Sequence, residues 1–228
     1  VVESITGSAG RFTVKTSDGE YACKTVLVCS GAKHRHLGLE DEDRLRGKGV
    51  SYCALCDGNF YRNQSVAVVG GGNAAMEESL YLSKIVSKLH LIHRRDSFRG
   101  LKVYEERLES MPDKVNIMRS SVITKLHGED FLTGLTVRNL LNGQEELLPV
   151  DGLFIYVGFA PVTDFLPQDI VLDEQGFIVT DTEMRTSIPG IFAAGDIRSK
   201  LCRQVITAAG DGATAAQAAF VFLEQLNA

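Results

Sequence analysis

The stretch Ser65-Val66-Ala67-Val68-Val69-Gly70-Gly71-Gly72-Asn73-Ala74-Ala75 decides the fold. The run from Ser65 to Val69 is apolar and short, and reads as a buried strand. Asn73 to Ser83 then has helical composition, and Lys88 to His93 reads as the next strand. Strand, helix and strand in that order make one βαβ unit. The glycines say what the unit holds. Gly70 permits a tight turn out of the strand, Gly72 lets the backbone approach a pyrophosphate, and the small Ala75 lets helix pack on strand. With Asn73 at its start, the helix turns free N–H groups toward the phosphates. A rival match, Gly210-x-Gly212-x-x-Ala215, follows no clear strand and is read as close packing of a helix start.

The end of the second strand carries His93-Arg94-Arg95-Asp96-Ser97-Phe98-Arg99. Units that bind NAD place an acid there for the ribose 2′-hydroxyl. Guanidinium groups suit a dianionic 2′-phosphate instead, because they offer paired donors and a fixed charge. Arg99 is spaced to close the other side, so NADPH is favoured over NADH. The plainer reading of the cluster is a solvated basic turn.

Upstream lies Cys53-Ala54-Leu55-Cys56. It can be half of a zinc site, but no second pair of ligands completes it, so no metal is expected. It can be two unrelated thiols, or a redox pair that exchanges with another disulfide. Asp57 adjoins Cys56, where a carboxyl could pass a proton to a leaving thiolate, or simply cap a turn ahead of Gly58. Cys23 and Cys29 fall on expected strands and are read as core packing. Cys202 has no assigned role.

The rest of the chain is read more coarsely. Residues 11–23 read as a β-hairpin turned by Asp18-Gly19, and Thr25 to Cys29 as a buried strand. Residues 33–51 have the composition of a linker. Tyr104 to Met111 reads as helix stopped by Pro112, residues 115–150 as a hairpin or meander, and Gly152 to Gly158 as another strand. Residues 159–168 look like a second linker, Gly176 to Val179 and Gly190 to Ala194 like strands, and Asp211 to Leu226 like an Ala-rich helix. The stretch Gly190 to Asp196, followed by Arg203-Gln204, could turn a carboxylate toward a sugar hydroxyl and a helix dipole toward a carbonyl.

With 228 residues, 44% of them hydrophobic, the chain has the composition of a globular protein with one large or two small domains. A net charge of −5 argues against general nucleic-acid binding. No stretch is expected to reach the roughly 18 apolar residues that a bilayer crossing needs. The start lacks the features of a signal peptide, and five cysteines are too few for a disulfide scaffold. The expectation is a cytoplasmic protein.

Taken together, Ser51 to Gly58, Val69 to Ala75, His93 to Arg99, Gly190 to Asp196 and Arg203 to Gly212 resemble the low-molecular-weight, bacterial type of thioredoxin reductase, in that family's order. The resemblance implies an α/β fold of two Rossmann-like, three-layer nucleotide-binding domains. An NADPH domain at 37–160 would be inserted into an FAD domain made of 1–36 and 161–228. It implies electron flow from NADPH through FAD to a Cys53–Cys56 disulfide and on to thioredoxin. Cys56 would face the flavin, Cys53 would attack thioredoxin, and Asp57 would donate the proton. His93, Arg94, Arg95 and Arg99 would contact the 2′-phosphate, and Gly195, Asp196, Arg203 and Gln204 would fall at the flavin. A homodimer is implied too. The family's N-terminal fingerprint for the FAD pyrophosphate is not in this stretch, so the FAD domain is expected to be incomplete at its N-terminus. The reductase part of an alkyl hydroperoxide reductase flavoprotein, a ferredoxin-fed relative and a non-catalytic NADPH-binding fragment are the rival readings.

Overall fold

The fingerprint strand, Ser65–Gly70, is the centre of a five-stranded sheet. Its order is Val50–Ser51, Gly152–Tyr156, Ser65–Gly70, Lys88–Ile92, Val115–Met118 in the computed structural model, which describes residues 1–227. Every pairing is parallel. Parallel sheets are covered on both faces, and the two-residue alternation of side chains shows how. Val66, Val68, Leu89, Leu91 and Phe154 pack with Ala75, Met76, Leu80 and Leu108 of the helices Asn73–Leu82 and Lys102–Glu109. Ala67, Val69, Ile92, Leu153 and Ile155 face the other way, onto Ile123, Leu126, Leu135 and Val137. Those residues belong to an antiparallel sheet of Ser121–His127, Gly134–Asn139 and Glu145–Pro149. Helices, parallel sheet and antiparallel sheet make the three layers of a Rossmann-like α/β unit.

The chain divides into two compact units, His34–Gly158 and Val1–Lys33 with Phe159–Ala228. In the second of these, Val2–Ser8, Arg11–Thr16 and Gly19–Cys23 form an antiparallel meander. Val26–Val28 pairs in parallel with Ile191–Ala193. The helix Val205–Asn227 buries Ala215, Ala218 and Ala219 against Met184, Phe192 and Ala194.

Several expectations are corrected. Residues 33–51 are not a linker: Leu45 and Val50 are in the core, and Glu42 is buried. One oxygen of Glu42 accepts the N–H groups of Leu37 and Gly38, at 2.8 and 3.0 Å, and the other accepts the hydroxyl of Tyr52 at 2.6 Å. A buried carboxylate so fully bonded organises a charged, Gly-rich run that composition alone reads as loose. Val115–Met118 joins the parallel sheet rather than the meander. Phe159–Pro161, inside the expected second linker, is a short strand. Gly176 to Val179 is not a strand but holds isolated bridges at Ile178. Cys29 is exposed, whereas Cys23 packs at the edge of a core cluster.

The last helix starts at Val205, not at Asp211. Gly210 and Gly212 therefore lie inside it, and a Cβ at either would meet no atom within 4 Å, so close packing does not explain them. By length and composition Val205–Leu226 is also apolar enough to cross a bilayer, contrary to expectation. Its many alanines, with Val205, Ile206, Phe220, Val221, Phe222 and Leu223, sum over its length, and the core helix of a globular domain passes the same test.

Asp211, inside the helix, is an anchor. Its carboxylate meets Arg198 and Lys200, each at 2.8 Å, and accepts the Gly195 N–H at 3.1 Å. Burial alone would raise its pKa, but the Lys200, Arg198 and Gly195 hydrogen bonds outweigh burial and hold it below the ordinary carboxylate range. A depressed folded pKa stabilises the fold above the unfolded pKa, about 3.9, and that contribution is lost as pH falls through the folded value. Asp211→Asn should cost about 2 kcal/mol at pH 7, since it leaves two cations with a weaker partner. The difference from wild type should shrink in denaturant melts repeated near pH 3. An unchanged difference would show that the carboxylate's charge is not what matters.

Candidate active site

A cleft of about 390 Å³ opens at the carboxyl ends of the parallel strands. Open α/β sheets bind ligands at that end. Its walls include Gly70 and Gly71, His93 and Arg94, Arg99, and Tyr156. Gly70 has φ +154°, and a Cβ there would sit 2.5 Å from the Tyr156 carbonyl oxygen, so only glycine makes this turn. A Cβ on Gly71 would collide with the His93 ring, while the space beside Gly72 is open. Gly72 caps the helix Asn73–Leu82 with no side-chain hydrogen bond, which leaves N–H groups of the first turn free for an anion. This open cradle fits a pyrophosphate.

The basic loop is laced to the glycine turn. The N–H groups of Arg99 and Gly100 donate to the Gly71 carbonyl at 2.8 and 3.2 Å. Leu101 N–H donates to Asn73 Oδ1 at 2.8 Å. These bonds fix where Arg99 starts, and Arg94, Arg95 and Arg99 are all exposed. None of the three forms an ion pair among the described residues. His93 differs from them. Its ring is buried, stacks on Phe98 at 5.0 Å, and lies with Nε2 3.0 Å from the Ser97 carbonyl, so that nitrogen carries a hydrogen. Burial first, and the charges of Arg95 and Arg99 after it, lower its pKa against the opposing pull of the Ser97 carbonyl. His93 is thus a neutral wall of the cleft and the arginines are its charges.

In the same unit, Cys53 and Cys56 are joined as a disulfide at the start of the short helix Ala54–Asp57. Three backbone donors there meet side-chain acceptors. Cys56 N–H donates to Cys53 Sγ at 3.2 Å, Cys53 N–H to Ser51 Oγ at 3.1 Å, and Ala54 N–H to the Tyr156 hydroxyl at 2.6 Å. Ser51 in turn donates its hydroxyl to Asp57 Oδ2 at 2.6 Å. Asp57 is half-buried and Cys56 exposed. The arrangement can exchange a disulfide and keep a carboxylate in a fixed pose beside it.

In the other unit, the strand Ile191–Ala193 is followed by Gly195, where φ is +80°, and by Asp196, in a single helical turn. Asp196 Oδ1 is buried with no hydrogen-bond partner. An orphaned carboxylate oxygen is costly unless a ligand supplies a donor, and a flavin's ribityl hydroxyl would do so. Arg203 has its guanidinium 4.0 Å from the Phe177 ring centre and reaches the carbonyls of Asp196 and Arg198 at 3.5 and 3.4 Å. Gln204 immediately precedes the long helix, its N–H donating to Thr207 Oγ1 at 3.2 Å.

Sequence reasoning missed four residues. Arg35 and His36 line the nucleotide cleft but sat in a run read as linker. Ser51 holds the redox segment from two residues upstream, and Tyr156 holds it through a contact remote in sequence. A hydroxyl two residues before a CxxC was the one available signal.

Comparisons with known proteins now bear on this geometry. Residues 1–212 match the family described as pyridine nucleotide-disulphide oxidoreductase. A thioredoxin reductase of Listeria monocytogenes is 42% identical over 216 residues, which is 94% of this chain and 67% of that protein. The crystal structure of thioredoxin reductase from Streptococcus pyogenes matches with a TM-score of 0.92 at 42% identity, over 99% of this chain and 74% of that one. Thioredoxin reductase from Giardia duodenalis matches with a TM-score of 0.89 at 34% identity, over 98% of this chain and 74% of that one. The family works with a flavin and a pyridine nucleotide. On sequence, fold and redox disulfide together, the chain belongs to the pyridine nucleotide-disulphide oxidoreductases, within their thioredoxin reductase group.

Proposed function

We propose that this chain serves an NADPH-dependent thioredoxin-disulfide reductase that uses FAD as its flavin. The observation that carries the reading is the Cys53–Cys56 disulfide with Asp57 pinned beside it, in one unit with a cleft built for a dinucleotide. The cleft takes the pyrophosphate at Gly72 and Asn73, with the small Ala75 letting helix and strand close up. Arg94, Arg95 and Arg99 take the 2′-phosphate, and His93 shapes the floor. Gly195, Asp196, Arg203 and Gln204 serve the flavin, with the free oxygen of Asp196 accepting from it. The flavin's chemistry is to accept a hydride from the nicotinamide and deliver the electron pair to the disulfide.

The remaining steps belong to this chain's residues. With the S–S bond reduced, Cys53 is the attacking thiolate, because the Cys56 N–H lies 3.2 Å from its sulfur and favours the charged form. The thiolate attacks one sulfur of the thioredoxin disulfide. A Cys53–thioredoxin bond forms, the thioredoxin S–S bond breaks, and the departing thiolate takes a proton from Asp57. Asp57, now ionised, takes the Cys56 thiol proton; Cys56 attacks the Cys53 sulfur, re-forms the internal disulfide and releases the second thiolate, which takes that proton from Asp57. Two electrons and two protons pass to thioredoxin. The working form is taken to be a cytoplasmic homodimer, which sedimentation of the full-length protein would check.

Asp57→Asn tests the acid. General-acid catalysis is commonly worth about 10²-fold or more, and a half-exposed acid competes with solvent, so a loss of about 10–100-fold in thioredoxin reduction is expected. Flavin reduction by NADPH, followed by stopped-flow absorbance, should be unchanged. Unaltered turnover with thioredoxin would remove Asp57 from the mechanism.

A further inference from the structure

Tyr156 touches both halves of the chemistry in the nucleotide unit. Its backbone ends the strand Gly152–Tyr156, pairs with Gly70 and walls the nucleotide cleft. Its side chain leaves on the helix-covered face of the sheet and packs against that core. The hydroxyl ends at the redox segment, where it accepts the Ala54 N–H at 2.6 Å. Ala54 is fully buried, so water cannot replace that acceptor.

Ala54 directly follows Cys53, so its N–H moves with the Cys53 backbone. The two sulfurs are bonded in the oxidised state and must part to non-bonded contact in the reduced one. The turn between residues 53 and 56 takes up that change. The Cys53 and Cys56 N–H groups are held locally, by Ser51 and by Cys53 itself. Ser51 ties the turn to the edge strand Val50–Ser51 that leads into it, whereas the Tyr156 bond ties it to Gly152–Tyr156, remote in sequence and further inside the sheet, and that bond is short in the closed, oxidised arrangement. Burial raises the pKa of this phenol, and the negative charges of Glu78 and Asp57 push the same way. The hydroxyl therefore stays neutral throughout the working pH range.

We propose that Tyr156 is a positioning residue of the redox centre, whose hydroxyl favours the closed Cys53–Cys56 turn and so makes the disulfide harder to reduce. The inference rests on the exchange chemistry proposed above. Its physical basis is linkage: a bond made better in one state shifts the equilibrium toward that state by its difference between the two.

The test is the midpoint potential of the Cys53–Cys56 pair in the full-length flavin-loaded protein. It is equilibrated against reduced and oxidised dithiothreitol and read by thiol alkylation and mass spectrometry. Tyr156→Phe removes one oxygen. It should favour the dithiol about tenfold, which is a rise of about 30 mV for a two-electron couple. Ala54→Pro removes the same bond from the donor side. Position 54 is the first of the helix, and Cys53 is extended at φ −146°, ψ 102°, as a residue before proline should be. It should move the potential the same way. Thermal melts and NADPH binding show whether each variant is folded. A folded variant with an unchanged or lowered potential overturns the proposal. A wild-type pair that never exchanges with dithiothreitol would instead overturn the redox reading beneath it.

Discussion

Replacing either cysteine of the redox pair with serine should lower thioredoxin reduction by at least about a thousandfold, the scale seen when a reacting group is removed outright. A hydroxyl cannot take part in an S–S bond, so electrons would stop at the flavin. NADPH oxidation with an artificial acceptor should persist in both variants of the full-length protein. The two variants should then differ. Cys56→Ser leaves the attacking thiol in place without the residue that resolves the intermediate, so it should accumulate a mixed disulfide with thioredoxin. Cys53→Ser should trap nothing. Intact-mass spectrometry separates the cases, and trapping by Cys53→Ser alone would reverse the two roles. Continued turnover in both variants would send the electrons by another route. The Cys56 N–H at 3.2 Å from Cys53 Sγ is the geometric reason for the order chosen.

The second large effect is on nucleotide choice. Arg94 and Arg99 line the cleft and have no carboxylate partner among the described residues, so their charge is available to a ligand. A hydrogen bond to a charged group contributes about 1.5–3 kcal/mol. Two such contacts to one phosphate, discounted for exposure, are worth about a hundredfold in Kd. Arg94→Ala with Arg99→Ala should weaken NADPH binding by that much and leave NADH binding nearly unchanged, since NADH has no 2′-phosphate. Calorimetric titration with both nucleotides decides it. Equal losses would mean that the arginines grip the pyrophosphate, or that the loop has collapsed. Loop collapse would show as loss of the Asn73–Leu101 tether and a lower melting temperature.

The nucleotide-binding core was legible because its first strand runs from Val66 to Val69 without a polar interruption. Val66 and Val68 go to the helices, and Ala67 and Val69 to the antiparallel sheet. A run buried on both faces has few rival readings. The segment before Cys53 was illegible for the opposite reason. Its charges look solvated until Glu42 is seen accepting two backbone N–H groups and a tyrosine hydroxyl, all supplied by folding. The start of the last helix was misplaced because Gly210 and Gly212 looked like the close packing of a helix start, yet both lie inside the helix. Only the approach of Arg198 and Lys200, distant from Asp211 in sequence, shows what its carboxylate does. The redox pair itself could be read, but not its supports. Ser51 and Tyr156 matter through where their oxygens end up, and composition is silent on that.

The unit His34–Gly158 begins and ends at nearly one point: Arg35 N–H donates to the Gly158 carbonyl at 2.9 Å. A segment whose two ends already meet loses little conformational freedom when it is spliced into a host loop, because the closure has been made within the segment itself. It is therefore a cassette. Its glycine turn, basic loop and disulfide all lie between the splice points, so a transplant would carry a dinucleotide cleft and a thiol switch together. Joining the ends through a short linker and opening the chain at Asn142-Gly143, an exposed turn in the antiparallel sheet, would give a permuted form with the same interior and new termini far along the chain from the chemistry.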